Sequence, residues 1–128
     1  MASCPFCDPA AERIFHEDAL VRGLWDGFPV APGHALLVPR RHVADWFDAT
    51  EAERGALLSA LDVARAAITT RHKVDGFNIG VNVGAAAGQT VPHLHVHLIP
   101  RCSGDVADPR GGVRWVIPER AAWWKAGA

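Results

Sequence analysis

Three histidines separated by single aliphatic residues, in His93-Leu94-His95-Val96-His97, constrain this chain more than any other feature. Side chains alternate faces along a strand, so the imidazoles share one side while Leu94, Val96 and Leu98 share the other. On a helix the same residues would fan out around the axis. The pattern predicts a strand over His93 to Pro100 with neighbouring imidazoles about 6.8 Å apart, from two rises of about 3.4 Å. That spacing suits a polyphosphate lying along the strand. A lone histidine here would read as a satisfied polar residue. Three at strict period two, just after the Gly88-Gln89-Thr90 loop, point to a shared site.

The remainder of the chain supplies elements that can hold such a strand. Ile14 to Trp25 reads as two short strands around a polar tip. Phe28-Pro29-Val30-Ala31-Pro32-Gly33 is a turn feeding the apolar run His34 to Pro39, which reads as a buried strand. Thr50 and Glu53 form a capping box, and Leu57, Leu61, Ala64 and Ile68 recur at helical spacing. They predict a helix of about five turns ending near His72-Lys73, before Gly76. Phe77 to Val83 alternates as a strand, and Gly84 to Gln89 is a small-residue loop. The order predicts an α+β domain, a mainly antiparallel sheet of about five strands with one long helix packed on one face.

A length of 128 residues fits a single domain over 1–128, with the tail from about 104 to 128 as an irregular arm rich in proline, glycine and tryptophan. The formal net charge of −1 provides no broad basic face, so the expected ligand is a small anion and not a nucleic acid. No run approaches the roughly 20 apolar residues that cross a bilayer, and Met1 to Pro5 lacks a basic region followed by an apolar one. A cytoplasmic protein without a membrane partner is expected. Three cysteines, an odd number, argue against a disulfide framework. Metal binding or plain burial remains, and Cys4-Pro5-Phe6-Cys7, which also reads as a pair of buried or free cysteines, has the thiolate spacing of tetrahedral zinc sites.

The run Gly88-Gln89-Thr90-Val91-Pro92-His93-Leu94-His95-Val96-His97-Leu98-Ile99-Pro100-Arg101 resembles the histidine triad family of nucleotide hydrolases and transferases. Pro32 to Pro39 and Asn78 to Gly84 extend the resemblance over most of residues 4 to 101. It implies that His95 attacks the α-phosphorus of a nucleotide and forms a covalent nucleotidyl-histidine intermediate. It implies that His97, Asn82 and the backbone of the Gly84 to Gln89 loop, Gly88 included, donate to non-bridging phosphate oxygens. Gln89 and Thr90 fall where family members contact the bridging oxygen and leaving group, and His34 where a histidine buttresses the cluster. Asp26 matches a residue that binds ribose hydroxyls, and Phe6 and Leu24 match the nucleobase pocket. Asp26 also reads as a turn residue before Gly27, His34 as a satisfied core histidine opening an apolar strand, and Phe6 and Leu24 as core.

Zinc-containing members imply His42 and His93 as third and fourth ligands beside Cys4 and Cys7. Four protein ligands make a closed, structural site, since catalytic zinc keeps a position open. The resemblance further implies a homodimer, and favours the diadenosine polyphosphate hydrolase branch through Gln89-Thr90 and Pro100-Arg101. Three alternatives stay open: a phosphoramidase of the same family, a metallohydrolase holding a catalytic zinc on His93, His95 and His97, and a nucleotide-binding module with little turnover.

Overall fold

The computed structural model describes residues 4–125, so the chain start at Met1 to Ser3 and the last three residues of the expected arm lie outside it. Five strands form one sheet in the order β1-β2-β3-β5-β4. They are β1 (Ile14–Glu17), β2 (Val21–Trp25), β3 (Ala35–Pro39), β4 (Gly76–Val81) and β5 (Val96–Arg101). Every neighbouring pair is antiparallel. One long helix, α1 (Glu51–Thr69), packs on one face. The α+β architecture is the one expected.

Helix α1 starts where the capping box places it. The Thr50 hydroxyl accepts from the Glu53 amide at 3.1 Å and the Glu53 carboxylate accepts from the Thr50 amide at 2.9 Å. Leu57, Ala60, Ala64 and Ile68 are buried, the 3- and 4-residue spacing of one helical face. They meet Val21, Ala35, Leu37, Leu94, Val96 and Leu98 to make the main core. The helix ends at Thr69, a few residues before the expected His72-Lys73. The Arg71 amide bonds three residues back to the Ile68 carbonyl, tightening the last turn, while the Thr70 hydroxyl donates to the Ala67 carbonyl.

Two strand boundaries differ from expectation. Strand β5 begins at Val96 and not at His93, because His93 and His95 lie outside the ladder with β3, which starts at Leu37 opposite Val96. Their stretch is instead held by the Leu94 amide donating to the Val43 carbonyl at 2.8 Å. Strand β4 stops at Val81, leaving Asn82 and Val83 to open the glycine loop. Alternation itself survives, since Leu94, Val96 and Leu98 all enter the helix-side core.

On the opposite face lies a smaller cluster of Phe6, Leu24, Leu36 and Val38. Leu36 pairs with His97 across β3 and β5, so this face carries the histidines. Beyond the sheet the arm is irregular, with a 3-10 segment over Gly112–Val116, a single-turn helix α2 (Pro118–Ala121) and another 3-10 turn over Trp123–Lys125. No described helix is long and apolar enough to cross a membrane.

Candidate functional site

The sheet face away from α1 gathers all seven histidine and cysteine positions assigned to a site from sequence, His34, His95 and His97 in one row and Cys4, Cys7, His42 and His93 in a cluster beside it. His95 and His97 have ring centroids 5.1 Å apart, closer than the expected rise, because the rings tilt toward each other at 68°. His34 follows, with its Nε2 2.9 Å from Nδ1 of His97 and 3.3 Å from a carboxylate oxygen of Asp26. His93 faces the other way, toward Cys4, Cys7 and His42.

The hydrogen bonds fix the tautomers. A carbonyl only accepts, so His95 Nδ1 carries the proton donated to the His93 carbonyl at 2.9 Å. Its Nε2 is then the lone-pair nitrogen, and it has no hydrogen-bond partner among the described residues. The Val30 amide donates to His34 Nδ1 at 3.2 Å, which leaves the proton of His34 on Nε2. That proton points at His97 Nδ1, so His97 keeps its own proton on Nε2. One backbone amide thus sets the state of two rings.

Burial keeps this relay neutral. His97 is pushed down to about 4, first by burial and then by the neighbouring His95 and His34, against a smaller opposing pull from Asp26. Burial likewise lowers His34, opposed by Asp26. Both rings are therefore uncharged donors and acceptors at neutral pH.

Phe6 is buried and its ring lies 5.0 Å from that of His95 and 5.9 Å from that of His93. Leu24 is fully buried below it, in the same small cluster. Asp26 accepts from the Phe28 amide at 2.8 Å through one oxygen and faces His34 with the other. Asn82 lines a cleft together with His97. Gly88 adopts φ 92°, a conformation that favours glycine, and ends the tight turn over Ala85–Ala87. The Gln89 side chain donates to the carbonyls of Ala44 (2.6 Å) and Val91 (3.0 Å) and accepts from the Gly84 amide (2.9 Å), bracing that loop. Thr90 is exposed beside it.

Cys4, Cys7, His42 and His93 each bring one ligand atom within 4.8 Å of all the others. The His93 Nδ1 lies 3.3 Å from Cys4 Sγ, 3.5 Å from Cys7 Sγ and 3.2 Å from His42 Nδ1, and Cys7 Sγ lies 3.1 Å from His42 Nδ1. Ligands at ordinary zinc bond lengths around a tetrahedron stand about 3.3 Å (N to N) and about 3.6 Å (N to S) apart. His93 Nε2 donates to the Pro39 carbonyl at 2.8 Å, which turns its Nδ1 lone pair toward the thiols. The four residues can hold a metal. By contrast, His93, His95 and His97 do not form one ligand group, since His93 belongs to the cysteine cluster and His97 to Asp26 and His34.

Sequence reasoning found the side chains and missed the backbone groups that orient them, namely the Val30 amide and the Pro39 and His93 carbonyls. Main-chain groups carry no residue-type signal, so only the fold could reveal them.

An antiparallel sheet presenting a row of imidazoles beside a glycine loop defines a histidine-cluster protein. The chain belongs to the HIT domain family, whose model matches residues 9–104. It is similar to the bis(5'-nucleosyl)-tetraphosphatase (asymmetrical) of Schizosaccharomyces pombe, at 34% identity over 100 residues, covering 78% of this chain and 55% of that protein. It is also similar to an AP-4-A phosphorylase of Mycobacterium tuberculosis, at 38% identity over 87 residues, covering 67% of this chain and 45% of that protein. This chain therefore spans about half the length of those two relatives. Among solved structures, a zinc-bound histidine triad family protein from Mycobacterium smegmatis superimposes with a TM-score of 0.73 at 35% identity, covering 83% of this chain and 80% of that one.

Proposed function

We propose that the chain is a nucleotide hydrolase or nucleotidyltransferase that acts at the α-phosphorus of a dinucleoside polyphosphate or related adenylylated substrate, through a nucleotidyl-histidine intermediate on His95. The observation that carries this reading is the unpartnered Nε2 of His95, left as a lone pair by the bond from its Nδ1 to the His93 carbonyl. That nitrogen forms the new bond to phosphorus while the bond to the leaving group breaks and the leaving group departs with the electron pair. Water then attacks the phosphorus and restores His95. The names of the yeast and mycobacterial relatives support the dinucleoside polyphosphate class.

Each remaining residue has a task in this scheme. The Nε2 proton of His97, kept there by the Val30-His34 relay, donates to a non-bridging phosphate oxygen together with Asn82. Backbone amides near Gly88 and the Thr90 hydroxyl face the bridging oxygen and leaving group. Gln89 acts by holding that loop. Asp26 accepts from ribose hydroxyls with the oxygen that faces His34, and Phe6, with Leu24 behind it, forms the base side of the pocket.

Zinc is the metal we assign to Cys4, Cys7, His42 and His93, in a closed structural role. The donor set and its spacing support this, as does the zinc-bound mycobacterial structure. When bound, zinc supplies a four-way tether between the N-terminal segment and the His93 stretch, and no chemistry at phosphorus. We also propose a single domain, a cytoplasmic location and a homodimer formed through α1 and a sheet edge. Exposed Leu58 and Val63 on α1, and the pairing of β4 on one side only, support the dimer. Turnover of diadenosine polyphosphates that disappears in folded His95→Ala tests the activity. A wild-type protein inert toward diadenosine polyphosphates and adenosine phosphoramidates alike would reject it.

A further inference from the structure

Two cavities meet at His34. One is a cleft of about 930 Å³ that also carries His97 and Asn82. The other, about 180 Å³, opens where the turn between β2 and β3 meets the end of α1, with Trp25, Asp26, Gly33, Arg71 and His72 in its wall. Whole small-molecule ligands occupy roughly 300–1,000 Å³, so the second cavity has room for a single functional group. His97 borders the cleft, Asp26 borders the small cavity, and His34 lies between them, 2.9 Å from one and 3.3 Å from the other. A nucleotide with its phosphorus at His95 and its ribose on Asp26 therefore turns its 2' and 3' oxygens toward the small cavity.

The wall of this cavity is built to meet an anion. The Arg71 guanidinium carbon lies 5.0 Å from the centroid of the Trp25 ring, which Phe15 backs at 4.4 Å. A guanidinium stacked on a ring keeps its in-plane N–H groups free to donate. Among the described residues Arg71 takes part in no ion pair. The edge of the His72 ring lies against Gly33, where a Cβ would stand 2.9 Å from it, so the missing side chain admits a second donor. Asp26 is the one carboxylate in the wall, and it already faces His34 and accepts from the Phe28 amide. Arg13 approaches the same turn, 3.5 Å from where a Cβ on Gly27 would sit, and adds positive charge. The Ala66, Ala67 and Ile68 carbonyls at the end of α1 accept from Thr70, Arg71 and His72 and do not face the cavity unpaired.

We propose that Arg71 and His72 form an oxyanion subsite beside Asp26 that takes a phosphate group, borne on the 2' or 3' oxygen of the substrate ribose or bound free. A carboxylate reads ribose hydroxyls and an arginine beside it reads a phosphate on one of them, the division of labour that separates plain from phosphorylated ribose in dinucleotide sites. Asp26 keeps the remaining hydroxyl while Arg71 takes the phosphate through charge-assisted hydrogen bonds. The ribose-borne source rests on the proposed reaction at His95 and names its substrate class, a nucleotide with a phosphorylated ribose. The free source stands without that reaction.

The test compares substrates that share one scissile P–N bond, adenosine 5'-phosphoramidate and its 2'-phosphorylated and 3'-phosphorylated derivatives. For each protein, kcat/KM on a derivative is divided by kcat/KM on the parent. Arg71→Ala is expected to lower this ratio about tenfold for at least one isomer, the low end of what a hydrogen bond to a charged group supplies. Arg71→Met, which keeps an apolar stem over Trp25 and removes the charge, is expected to lower it equally, and it stands in if Arg71→Ala melts too low to assay. Calorimetry with inorganic phosphate separates the two sources. A fall in the ratio assigns the phosphate to the ribose. Ratios that ignore Arg71, together with phosphate binding that weakens about tenfold in Arg71→Met, assign the subsite to the free anion. Ratios and phosphate binding that both ignore Arg71 overturn the subsite. So does a fall in Arg71→Ala that Arg71→Met does not share, which would trace the effect to packing on Trp25. Absence of His95-dependent turnover of any of these substrates by wild type overturns the underlying reaction, and the phosphate titration then decides the subsite alone.

Discussion

His95 donates its Nδ1 proton to the backbone carbonyl of His93, 2.9 Å away. The residue whose ring faces two thiols and a second imidazole thus sets the tautomer of the residue whose ring faces the substrate. Phe6 reinforces the coupling from the other side, because it sits in the Cys4-Cys7 segment and packs on both rings. A metal site and a nucleophile that share one stretch of backbone are one mechanical unit. The catalytic geometry depends on the tether even though the tether takes no part in the chemistry.

Protein prepared with ample zinc is expected to carry one zinc per chain by elemental analysis, and Cys4→Ser to carry less than half of that. Chelation is expected to lower the melting temperature, since a ligand present at about 100 times its Kd stabilises by about 2.7 kcal/mol. Metal-free wild-type protein that melts at the same temperature as Cys4→Ser and as the loaded protein would remove the site.

His34→Ala deletes the donor that holds the His97 proton on Nε2. Loss of one preorganised donor at a developing oxyanion costs about 100-fold in kcat. His34→Ala acts through His97 and not directly, so a fall of about 10- to 100-fold in kcat is expected, with KM changed far less. A variant whose KM rises while kcat holds would place His34 in ground-state binding.

Much of this arrangement was legible in the residues. Period-two histidines gave the site face, and Leu94, Val96 and Leu98 gave the core face, because a pleated chain leaves no other way to sort them. Thr50 and Glu53 marked the start of α1 to the residue, since a capping box is local chemistry. The end of α1 was harder, as the Ile68 carbonyl accepts both a tightened three-residue bond from Arg71 and the helical four-residue bond from His72, and nothing in those side chains decides between them. Strand β5 starts later than the pattern suggested because a ladder needs a partner, and before Val96 the chain has left both neighbours: β4 ends opposite Val96 and the Leu94 amide turns to the Val43 carbonyl. The arm was opaque, as it is tied to β5 through Asp105 on Arg101 and to itself through Arg114 on the Ala121 and Arg120 carbonyls rather than through a repeating apolar face.

Stability is expected to fall in acid through two groups with shifts of the same sign. His97 sits at about 4 in the fold against an ordinary 6.5, so the unfolded chain takes up its proton first. Its contribution is lost as pH falls from about 6.5 toward 4. Glu53 is held at about 2, chiefly by the hydrogen bonds from Arg41, against an ordinary 4.5. Its contribution is full above about 4.5 and is lost toward 2. At pH 7 Glu53→Gln is expected to cost about 1–2 kcal/mol, a charged hydrogen bond discounted for the exposed Arg41. Paired denaturation curves should show the gap to wild type closing below pH 4.5, and a gap that widens in acid would reverse the assigned sign.

Gly33 delivers the chain into His34 and β3 at φ 87°, and a Cβ there would stand 2.9 Å from the His72 ring and 3.1 Å from Ile68. Gly33→Ala is expected to cost about 1–3 kcal/mol from strain and crowding combined. Urea unfolding checks it, and a variant as stable as wild type would show that the turn can relax without disturbing α1.

The most direct measurement is the mass of the enzyme trapped during turnover. Wild-type protein mixed with a diadenosine polyphosphate or adenosine phosphoramidate and quenched under alkaline, cold conditions is expected to gain one nucleotidyl group. Peptide mapping should place it on His95 as an acid-labile adduct. Demonstrated turnover with an unmodified His95, or with the label on another residue, would contradict the account.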